Sequence, residues 1–434
     1  MTAENKNNVI AKQTVIANGV KQSANKKEIA SAKKLRNDVR VPKLRFNEFE
    51  GEWEKKKLGD IGKVKMCKRI FSSETTETGD IPFYKIGTFG KKPDAFITKK
   101  LYKNYRERFS FPKIGDILMS ASGTLGRTVV YDGVEAYFQD SNIVWIDNNE
   151  ELITNSFLFY IYQIVKYDSE GGTIQRLYNS IINRTKFSKP NLPEQQKIAT
   201  FLTAVDTKIQ QLTTKKEYLE NYKKGVMQQL FSQQLRFKND DGLDFPDWEI
   251  KTLDKIAKRN SIKNKGSKIN FVLTNSATQG IVSQKEYFDR DIANQNNLEG
   301  YYIVQKDDFI YNPRISVHAP VGPIKRNKLI KGIMSPLYLV FSFNKENLEY
   351  FEFYFETVEW HKYLNSVANF GARHDRMNIS NSDFFKMPIP LPCEIERRKI
   401  AKYLNAIDTK IENAQTQLEK TQAFKKGLLQ QLFV

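Results

Sequence analysis

The chain has 434 residues, of which 40% are hydrophobic and 12% aromatic, enough to build the cores of two or three domains. Its 69 basic and 50 acidic residues leave a net charge of +19, which favours a polyanionic partner, nucleic acid first and an anionic membrane surface second. Because no run of 18 apolar residues occurs and the N-terminus is polar and basic, we expect neither a membrane span nor a secretory signal. We therefore expect a cytoplasmic protein, and two unrelated cysteines, Cys67 and Cys393, fit a reducing compartment as buried thiols.

The first segment is a basic arm. Residues 1–40 carry nine basic and three acidic side chains and no aromatic residue. Such a composition cannot bury enough apolar surface to fold on its own. We predict a flexible or partly helical N-terminal arm over residues 1–43.

A folded domain follows over residues 44–191. It opens with Leu44-Arg45-Phe46 and Trp53, and continues with short runs of β-branched and aromatic residues separated by glycines. Residues 115–119 predict a turn that enters a strand, followed by a loop to Gly126 and a second strand over 127–131. Residues 157–165 predict a helix, and prolines close the domain. We interpret it as a mixed α and β domain.

Residues 192–234 are predicted to form one long helix, because apolar residues recur at the alternating four-and-three spacing of a coiled-coil seam. The seam residues are Ile198, Leu202, Val205, Ile209, Leu212, Leu219, Val226 and Leu230. Gly225 interrupts the helix, where it costs about 1 kcal/mol relative to Ala. Either the helix bends there or another backbone approaches closely.

The second half of the chain repeats the first. Residues 197–231 recur at 399–433, each displaced by 202 positions without a gap, and Arg236 and Trp248 repeat the opening of the domain. We therefore predict a second domain over 235–391, with a helix over 348–363, and a second long helix over 392–434. The segment between Pro392 and Lys399 is interpreted as a three-residue expansion relative to the first copy.

The predicted fold class is α/β (α+β), a tandem duplication of a mixed α/β domain followed by a long helix. A tandem repeat can bring the end of its second copy beside the start of its first. We therefore expect the two helices to pair as an antiparallel coiled coil with pseudo-twofold symmetry.

These repeated features resemble the DNA-specificity subunits of type I restriction-modification systems over residues 44–434. The similar features are the two tryptophan-led openings (53–61 and 248–256), the strand entry at Gly115-Asp116-Ile117, and the Lys-Ile-Ala and Gln-Gln-Leu-Phe ends of both helices. The basic arm and the expansion after Pro392 depart from that pattern.

The resemblance implies two target recognition domains, residues 44–191 and 235–391, each reading one half of a split double-stranded DNA site. It also implies that the spacer helices, 192–234 and 392–434, hold methylation subunits, two in number, through which restriction subunits join. No membrane partner is implied. The target bases and the spacer length do not follow from the sequence.

Catalytic motifs are missing from the sequence. Asn312-Pro313-Arg314 approaches the catalytic loop of an adenine methyltransferase but lacks its second proline and aromatic residue, so a turn at a strand end is the better interpretation. The loop 122–126 lacks the Lys and Ser or Thr of a phosphate-binding loop. His318, His361, His374 and the cysteines make no standard metal spacing. We predict a binding protein, not an enzyme, with no cofactor and no metal.

Reading of bases requires side chains with planar or paired hydrogen-bonding groups on loops that can enter the major groove. Basic residues in predicted loops of both domains meet that requirement, and we rank Arg373, His374 and Arg376 first. The candidates are Lys68, Arg69, Lys91, Lys92, Arg127, Arg176, Arg314, Lys325, Arg326, Arg373, His374 and Arg376.

The main alternative is a coiled-coil protein scaffold whose two domains bind proteins and whose positive charge serves solubility, with no DNA role. An enzyme ranks third. Salt-sensitive retention of duplex DNA by the chain with its methylation partner would favour the DNA reader, because neutralised phosphates give a steep salt dependence. Undetectable DNA affinity would favour the scaffold.

Overall fold

The computed structural model of the protein describes residues 20–22, 41–167, 176–288, 295–344, 346–370 and 375–434. The chain divides into two compact units, which are described separately. Unit 1 comprises residues 1–212 and 417–434, and unit 2 comprises residues 213–416.

Unit 1 is a mixed α/β structure. Its strands are β1 (Val20–Gln22), β2 (Leu44–Phe46), β3 (Glu54–Lys57), β4 (Gly62–Met66), β5 (Ile81–Tyr84), β6 (Phe96–Ile97), β7 (Ile117–Ser120), β8 (Thr128–Val130), β9 (Tyr137–Phe138), β10 (Ile143–Asn148) and β11 (Lys186–Lys189). Its helices are α1 (Lys99–Arg108), α2 (Asn155–Ile164), α3 (Asn179–Arg184) and the first part of α4 (Leu192–Phe231). Short 3-10 turns occur at Leu58–Asp60 and Ser72–Glu74.

The main sheet of unit 1 has four antiparallel strands in the order β4-β10-β7-β8. Every residue of β7 is buried, because this strand has a neighbour on each edge and a core on each face. Side chains alternate between the faces of a strand. Accordingly, Ile117 and Met119 belong to one hydrophobic cluster and Leu118 to another. The sheet therefore lies between two cores, one of which includes α2 and the start of α4.

Three smaller sheets accompany the main sheet in the described part of unit 1. Strands β3 and β11 pair antiparallel, as do β1 and β2. Strand β5 pairs antiparallel with β6 and parallel with β9. Most of the predicted N-terminal arm lies outside the described residues, and within it Val20–Gln22 forms a strand along Leu44–Phe46.

Unit 2 is built from a similar set of elements. Its strands are β12 (Glu249–Thr252), β13 (Ala257–Asn260), β14 (Leu273–Ser276), β15 (Gly280–Ser283), β16 (Tyr302–Val304), β17 (Phe309–Tyr311), β18 (Ile324–Arg326), β19 (Gly332–Met334), β20 (Leu339–Phe343), β21 (Asn369–Phe370), β22 (Met377–Asn378) and β23 (Pro388–Leu391). Its helices are the remainder of α4, α5 (Leu253–Ile256), α6 (Gln284–Phe288), α7 (Leu348–Glu356), α8 (His361–Val367), α9 (Asn381–Phe385) and the first part of α10 (Glu394–Gln431). The 3-10 turns are Lys265–Ser267 and Gln295–Gly300.

The main sheet of unit 2 has the order β13-β20-β17-β18, again with antiparallel neighbours. If the four strands of each main sheet are numbered 1 to 4 along the chain, their spatial order across the sheet is 1-4-2-3 in both units. Phe309 and Tyr311 contribute to one core and Ile310 to the other, so β17 also lies between two cores. Strands β12 and β23 pair antiparallel. The mixed α/β class predicted from the sequence is confirmed.

The long helices bury most of the apolar residues that the sequence pattern places on their seams, whereas Ile209 and Leu219 are partly exposed. In α4 the buried seam residues are Ile198, Leu202, Val205, Leu212, Val226 and Leu230. In α10 they are Ile400, Leu404, Ile407, Ala414, Leu418 and Leu428, and Leu432 is buried just after the end of the helix. A hydrogen bond from the Glu194 backbone amide to Asn191 Oδ1 (3.0 Å) caps the start of α4.

One ion pair joins the two long helices within each unit. In unit 1 Lys425 Nζ lies 2.7 Å from Asp206 Oδ1, and in unit 2 Lys223 Nζ lies 2.8 Å from Asp408 Oδ1. Each contact joins an early part of one long helix to a late part of the other. The antiparallel coiled coil over the full length of both helices remains a prediction.

Two local expectations are corrected. The helix predicted over 348–363 is two helices, because α7 ends at Glu356 and α8 begins at His361. Gly225 lies inside a continuous helix, and a Cβ atom added there would meet no heavy atom within 4 Å, so no backbone approaches it closely.

Candidate nucleic-acid interface

The loop between β7 and β8 lies at one end of the main sheet of unit 1. The backbone amide of Gly126 donates to Ser120 O (3.0 Å), and that of Arg127 donates to Ser120 Oγ (2.9 Å). Gly123 and Gly126 take positive φ angles of 66° and 73°, which favour glycine. These contacts make a tight loop, so side chains at its base have fixed positions.

A second segment pairs with this loop. Ser122 forms an isolated antiparallel bridge with Arg176, and the Leu177 amide donates to Ala121 O (2.8 Å). Residues in such a bridge present their side chains on the same face. Arg176 Cζ lies 5.8 Å from the centre of the Tyr178 ring, whose side chain is half exposed. The structure therefore brings Arg176 to the base of the β7–β8 loop.

Unit 2 repeats this arrangement. Arg314, in the loop between β17 and β18, forms an antiparallel bridge with Arg376, and the Met377 amide donates to Pro313 O (2.9 Å). Arg314 is 63% exposed, and its Nη2 lies 3.9 Å from Asp375 Oδ2. Arg376 Nε lies 3.7 Å from the same oxygen. Two guanidinium groups thus share one exposed carboxylate at the end of the sheet.

The predicted candidates Arg373 and His374 lie outside the described residues, immediately before this bridge. They remain predictions. Arg376, the third member of that group, is described, with a side chain that is 36% exposed, and its contact with a base remains a prediction.

In unit 1, Arg69 also belongs to this end of the sheet. Its Nε donates to Asp140 Oδ2 (2.9 Å), and nearby Asn142 Oδ1 accepts a hydrogen bond from Ser122 Oγ (2.9 Å). The side chain of Arg69 is 60% exposed, so its charge remains available to a ligand. Arg69 and Arg176 are therefore both connected to the β7–β8 loop through Ser122 and its neighbours.

The remaining candidates of unit 1 lie on adjoining loops. Arg127 Nη1 donates to Phe89 O (3.1 Å), which ties the β7–β8 loop to the loop that carries the exposed Lys91 and Lys92. Lys68 is exposed, and its Nζ lies 5.3 Å from the centre of the Phe109 ring. The half-buried Arg127 supports the loops, whereas the three lysines are free to approach phosphates.

Arg326 does not fit the role that the sequence suggested. Its side chain is 13% exposed and contacts three carboxylates, at 2.6 Å from Asp307, 3.0 Å from Glu349 and 3.6 Å from Glu352. A guanidinium held by so many carboxylates supports the fold and would have to abandon these partners to reach a base. Lys325, beside it on the edge strand β18, is partly exposed.

A buried carboxylate anchors the other end of the central strand in each unit. Asp116 Oδ2 accepts from the Lys113 amide (2.7 Å), and Asp308 Oδ2 accepts from the Gln305 amide (2.8 Å) and from Asn260 Nδ2 (3.1 Å). Burial raises the pKa of both carboxyl groups, and the backbone hydrogen bonds oppose that rise. The strand-entry motif seen in the sequence is therefore a structural turn.

A buried cluster that the sequence motifs above do not include lies at the start of each long helix. Glu194, fully buried, accepts hydrogen bonds from Arg45 Nε (2.8 Å), Arg45 Nη2 (2.7 Å) and Trp53 Nε1 (3.3 Å). We call these three residues the clamp of unit 1.

The clamp of unit 2 consists of Arg236, Trp248 and Glu396. Fully buried Glu396 accepts from Arg236 Nε (3.2 Å), Arg236 Nη2 (2.9 Å) and Trp248 Nε1 (3.0 Å). The glutamates are 202 positions apart, so extending the repeat upstream of Lys197 would have found them.

That extension also corrects the predicted three-residue expansion after Pro392. Gln195 Nε2 donates to Pro190 O (2.9 Å), and Arg397 Nη1 donates to Pro392 O (2.8 Å). Arg397 lies 202 positions after Gln195, and Pro392 lies 202 positions after Pro190. Pro392 therefore corresponds to Pro190 and not to Pro193, and the repeat contains no expansion at this point.

No group of three or more His, Cys, Asp or Glu side chains in the described ranges is arranged to hold a metal ion. Likewise, no helix among the residues that the structure describes is both long and apolar enough to cross a membrane.

Comparisons with known proteins agree with the arrangement. Residues 50–221 match the family model described as type I restriction modification DNA specificity domain. A putative type I restriction enzyme specificity subunit from Haemophilus influenzae is 56% identical over 157 residues, which make up 36% of this chain and 41% of that protein. The putative MjaX specificity subunit from Methanocaldococcus jannaschii is 27% identical over 421 residues, 89% of this chain and 94% of that protein.

Among solved structures, the S subunit of a type I restriction-modification system from M. genitalium superposes with a TM-score of 0.55 at 16% identity, covering 91% of this chain and 99% of that one. At this identity the likeness concerns the fold. The family model and the relatives show that the chain is similar to type I restriction-modification specificity subunits, with the family model matching residues 50–221.

Proposed function

We propose that the chain is the non-catalytic DNA-specificity subunit of a type I restriction-modification complex. The domain of each unit reads one half of a bipartite site in double-stranded DNA. The long helices hold methylation subunits, two per chain, and restriction subunits join through those.

The observation that carries the proposal is the repeated bridge at the end of the main sheet. In each unit an arginine, Arg176 or Arg376, pairs with the loop that follows the central strand. An arginine guanidinium can donate two hydrogen bonds to the paired acceptors of guanine in the major groove. The backbone hydrogen bonds of the bridge hold the main chain of this arginine in a fixed position. The same main-chain position carries an arginine in each unit, while the surrounding loop residues differ, as two readers of different half-sites require.

Charge supports the proposal in a second way. Arg69, Lys91 and Lys92 are exposed on loops next to the bridge of unit 1. Exposed lysines and arginines of this kind bind phosphates without regard to sequence and so position a reader on the duplex. Base contacts at the bridge and phosphate contacts around it would together make a DNA-binding surface.

The proposal is tested by mapping methylated sites in cells with and without this chain. We expect methylation at one bipartite motif to disappear when the gene is deleted and to return when it is restored. An unchanged methylation pattern would refute the proposal. Absence of salt-sensitive retention of duplex DNA by the complex with the methylation subunits would instead favour the protein scaffold.

Division of labour between the domains is tested on DNA libraries in which one half-site is randomised at a time. We expect substitutions on the bridge of unit 1 to alter discrimination in one half only, and those of unit 2 in the other. Equal loss in both halves would contradict the division.

A further inference from the structure

The two clamps join segments that are far apart in sequence. Arg45 and Trp53 belong to the opening of the domain in unit 1, and Glu194 belongs to the first turn of α4. Arg236, Trp248 and Glu396 make the same connection to the first turn of α10 in unit 2. Each clamp therefore connects a recognition domain to the helix that follows it.

The geometry of the clamp fixes a direction as well as a distance. Two parallel hydrogen bonds from an arginine fork to a carboxylate constrain the plane of both groups, and the indole N–H adds a third point outside the fork. In unit 1, Arg45 also donates to Gly51 O (2.5 Å) and Glu50 O (3.0 Å), so the same guanidinium holds the turn that leads to Trp53. In unit 2, Arg236 Nη2 donates to Phe245 O and Pro246 O.

A gain in folding stability does not explain why such a cluster is present. Taking a carboxylate and a guanidinium out of water has a large desolvation cost, and well-packed apolar residues often stabilise a fold as well or better. What apolar residues cannot supply is a unique orientation. The occurrence of the same cluster at the start of both long helices indicates that orientation is its contribution.

We propose that Glu194 and Glu396 are positioning residues for the spacing between the two half-sites. Each glutamate, through its clamp, fixes the direction in which a recognition domain leaves its long helix. The inference rests on the proposed function, because spacing has meaning only if both domains read DNA. Loosening one clamp then lets its domain swing, so that half-sites with a longer or shorter spacer become acceptable.

The chain offers a matched control. Exposed ion pairs join the same segments, Lys197 with Glu48 (3.1 Å) in unit 1 and Lys399 with Asp240 (2.7 Å) in unit 2. Exposed pairs of this kind hold little orientation because water and ions compete for both charges. Lys197→Ala therefore removes a contact between opening segment and helix without touching the clamp.

The experiment uses the full chain in complex with its methylation subunits. The substrates are duplexes that carry both half-sites with the native spacer or with one base pair more or fewer, each step adding about 3.4 Å of rise. The variants are Glu194→Gln, the apolar pair Arg45→Met with Glu194→Leu, Glu396→Gln and the control Lys197→Ala. Methylation rates, base discrimination within each half-site and thermal midpoints are measured for each.

For clamp variants we expect the preference for the native spacer over its neighbours to fall by about tenfold or more, because a 1 Å misplacement is enough to change a rate by about 100-fold. Discrimination within each half-site should change less than about twofold, since the bridges are intact. Lys197→Ala should keep the wild-type spacer preference. If Glu194→Gln unfolds, the double variant Arg45→Met with Glu194→Leu still tests the inference, because its apolar side chains restore a packed interior without the hydrogen bonds of the clamp.

Spacer preference equal to wild type in the folded apolar variant would overturn the inference, since the clamp would then serve stability alone. A loss of discrimination within the half-sites that matches the loss of spacer preference would also overturn it. If the wild-type complex methylates no specific site at all, the proposed function fails, which is a different result.

Discussion

Replacing Arg314 or Arg376 by Ala is expected to relax base discrimination in one half-site and leave the fold intact. Both guanidinium groups face a single carboxylate, Asp375, at 3.9 and 3.7 Å. With Arg314 63% exposed and Asp375 50% exposed, such an ion pair contributes about 0–1 kcal/mol to folding. A bidentate base contact is instead worth about 1–3 kcal/mol of discrimination, about 5- to 150-fold in relative rate or affinity.

The assay is methylation of a DNA library randomised in one half-site at a time, with the thermal midpoint measured in parallel. Arg326→Ala is the contrasting variant, because Arg326 is 13% exposed and holds carboxylates of unit 2. It should cost about 1–3 kcal/mol of stability and change no base preference. If Arg314→Ala and Arg376→Ala weaken binding to all DNA sequences alike, both arginines contact phosphates. In that case the slope of log affinity against log salt concentration should fall by about 1 for each variant. Unchanged binding and discrimination in both variants would refute the assignment of the bridge as the interface.

Three further predictions concern stability and reactivity. Arg397→Gln should stabilise the fold by about 1–3 kcal/mol in denaturant unfolding. Burial lowers the pKa of Arg397, its buried Nε has no hydrogen-bond partner among the described residues, and Gln195 occupies the equivalent position in unit 1. A loss of stability in this variant would contradict the prediction. Gly225→Ala should stabilise by about 1 kcal/mol, since the helix is continuous and the space beside it is open, and a destabilised variant would show that the glycine is required. A thiol reagent at pH 8 should label Cys393, which is partly exposed, and leave native Cys67 unmodified, because burial raises the pKa of the Cys67 thiol to about 12. The raised pKa also means that the stability linked to Cys67 is fully present below the ordinary thiol pKa and is lost as pH rises towards 12; rapid labelling of native Cys67 would be evidence against this burial.

The long helices and the duplicated order of elements were predictable because they depend on local periodicity. A seam of apolar residues at helical spacing has one low-energy solution, and the seam residues Leu202 and Leu404 are both fully buried. The central strands β7 and β17 were predictable for a similar reason, since a short apolar run after a turn signal favours a buried strand. Local expectations were therefore sound for the long helices and the central strands, but not for the helix over 348–363, which is interrupted between Glu356 and His361.

Expectations that require long-range partners were less reliable. Nothing adjacent to Arg326 in sequence shows that Glu349 and Glu352 will surround it, so its charge alone suggested a DNA contact. The clamp was missed for the same reason, because Arg45 and Glu194 are 149 positions apart. The error over Pro392 had another cause, since two nearby prolines in the first copy offered two alignments and only the contacts of the carbonyl groups distinguish them.

The two units share their buried features and differ in their exposed loops. This difference suggests how one architecture could serve two DNA half-sites under the proposed function. The shared features are buried or made by the backbone: the strand order, the bridge between a loop and an arginine, and the clamp. The differences concentrate on the exposed loops, where residues 121–127 of unit 1 correspond to the longer stretch 312–323 of unit 2, and Ser122 corresponds to Arg314. Substitutions at exposed loop positions away from buried partners change stability little. Under the proposed function, the loops can therefore vary in base preference while the clamps and central strands keep each proposed reading surface in its position.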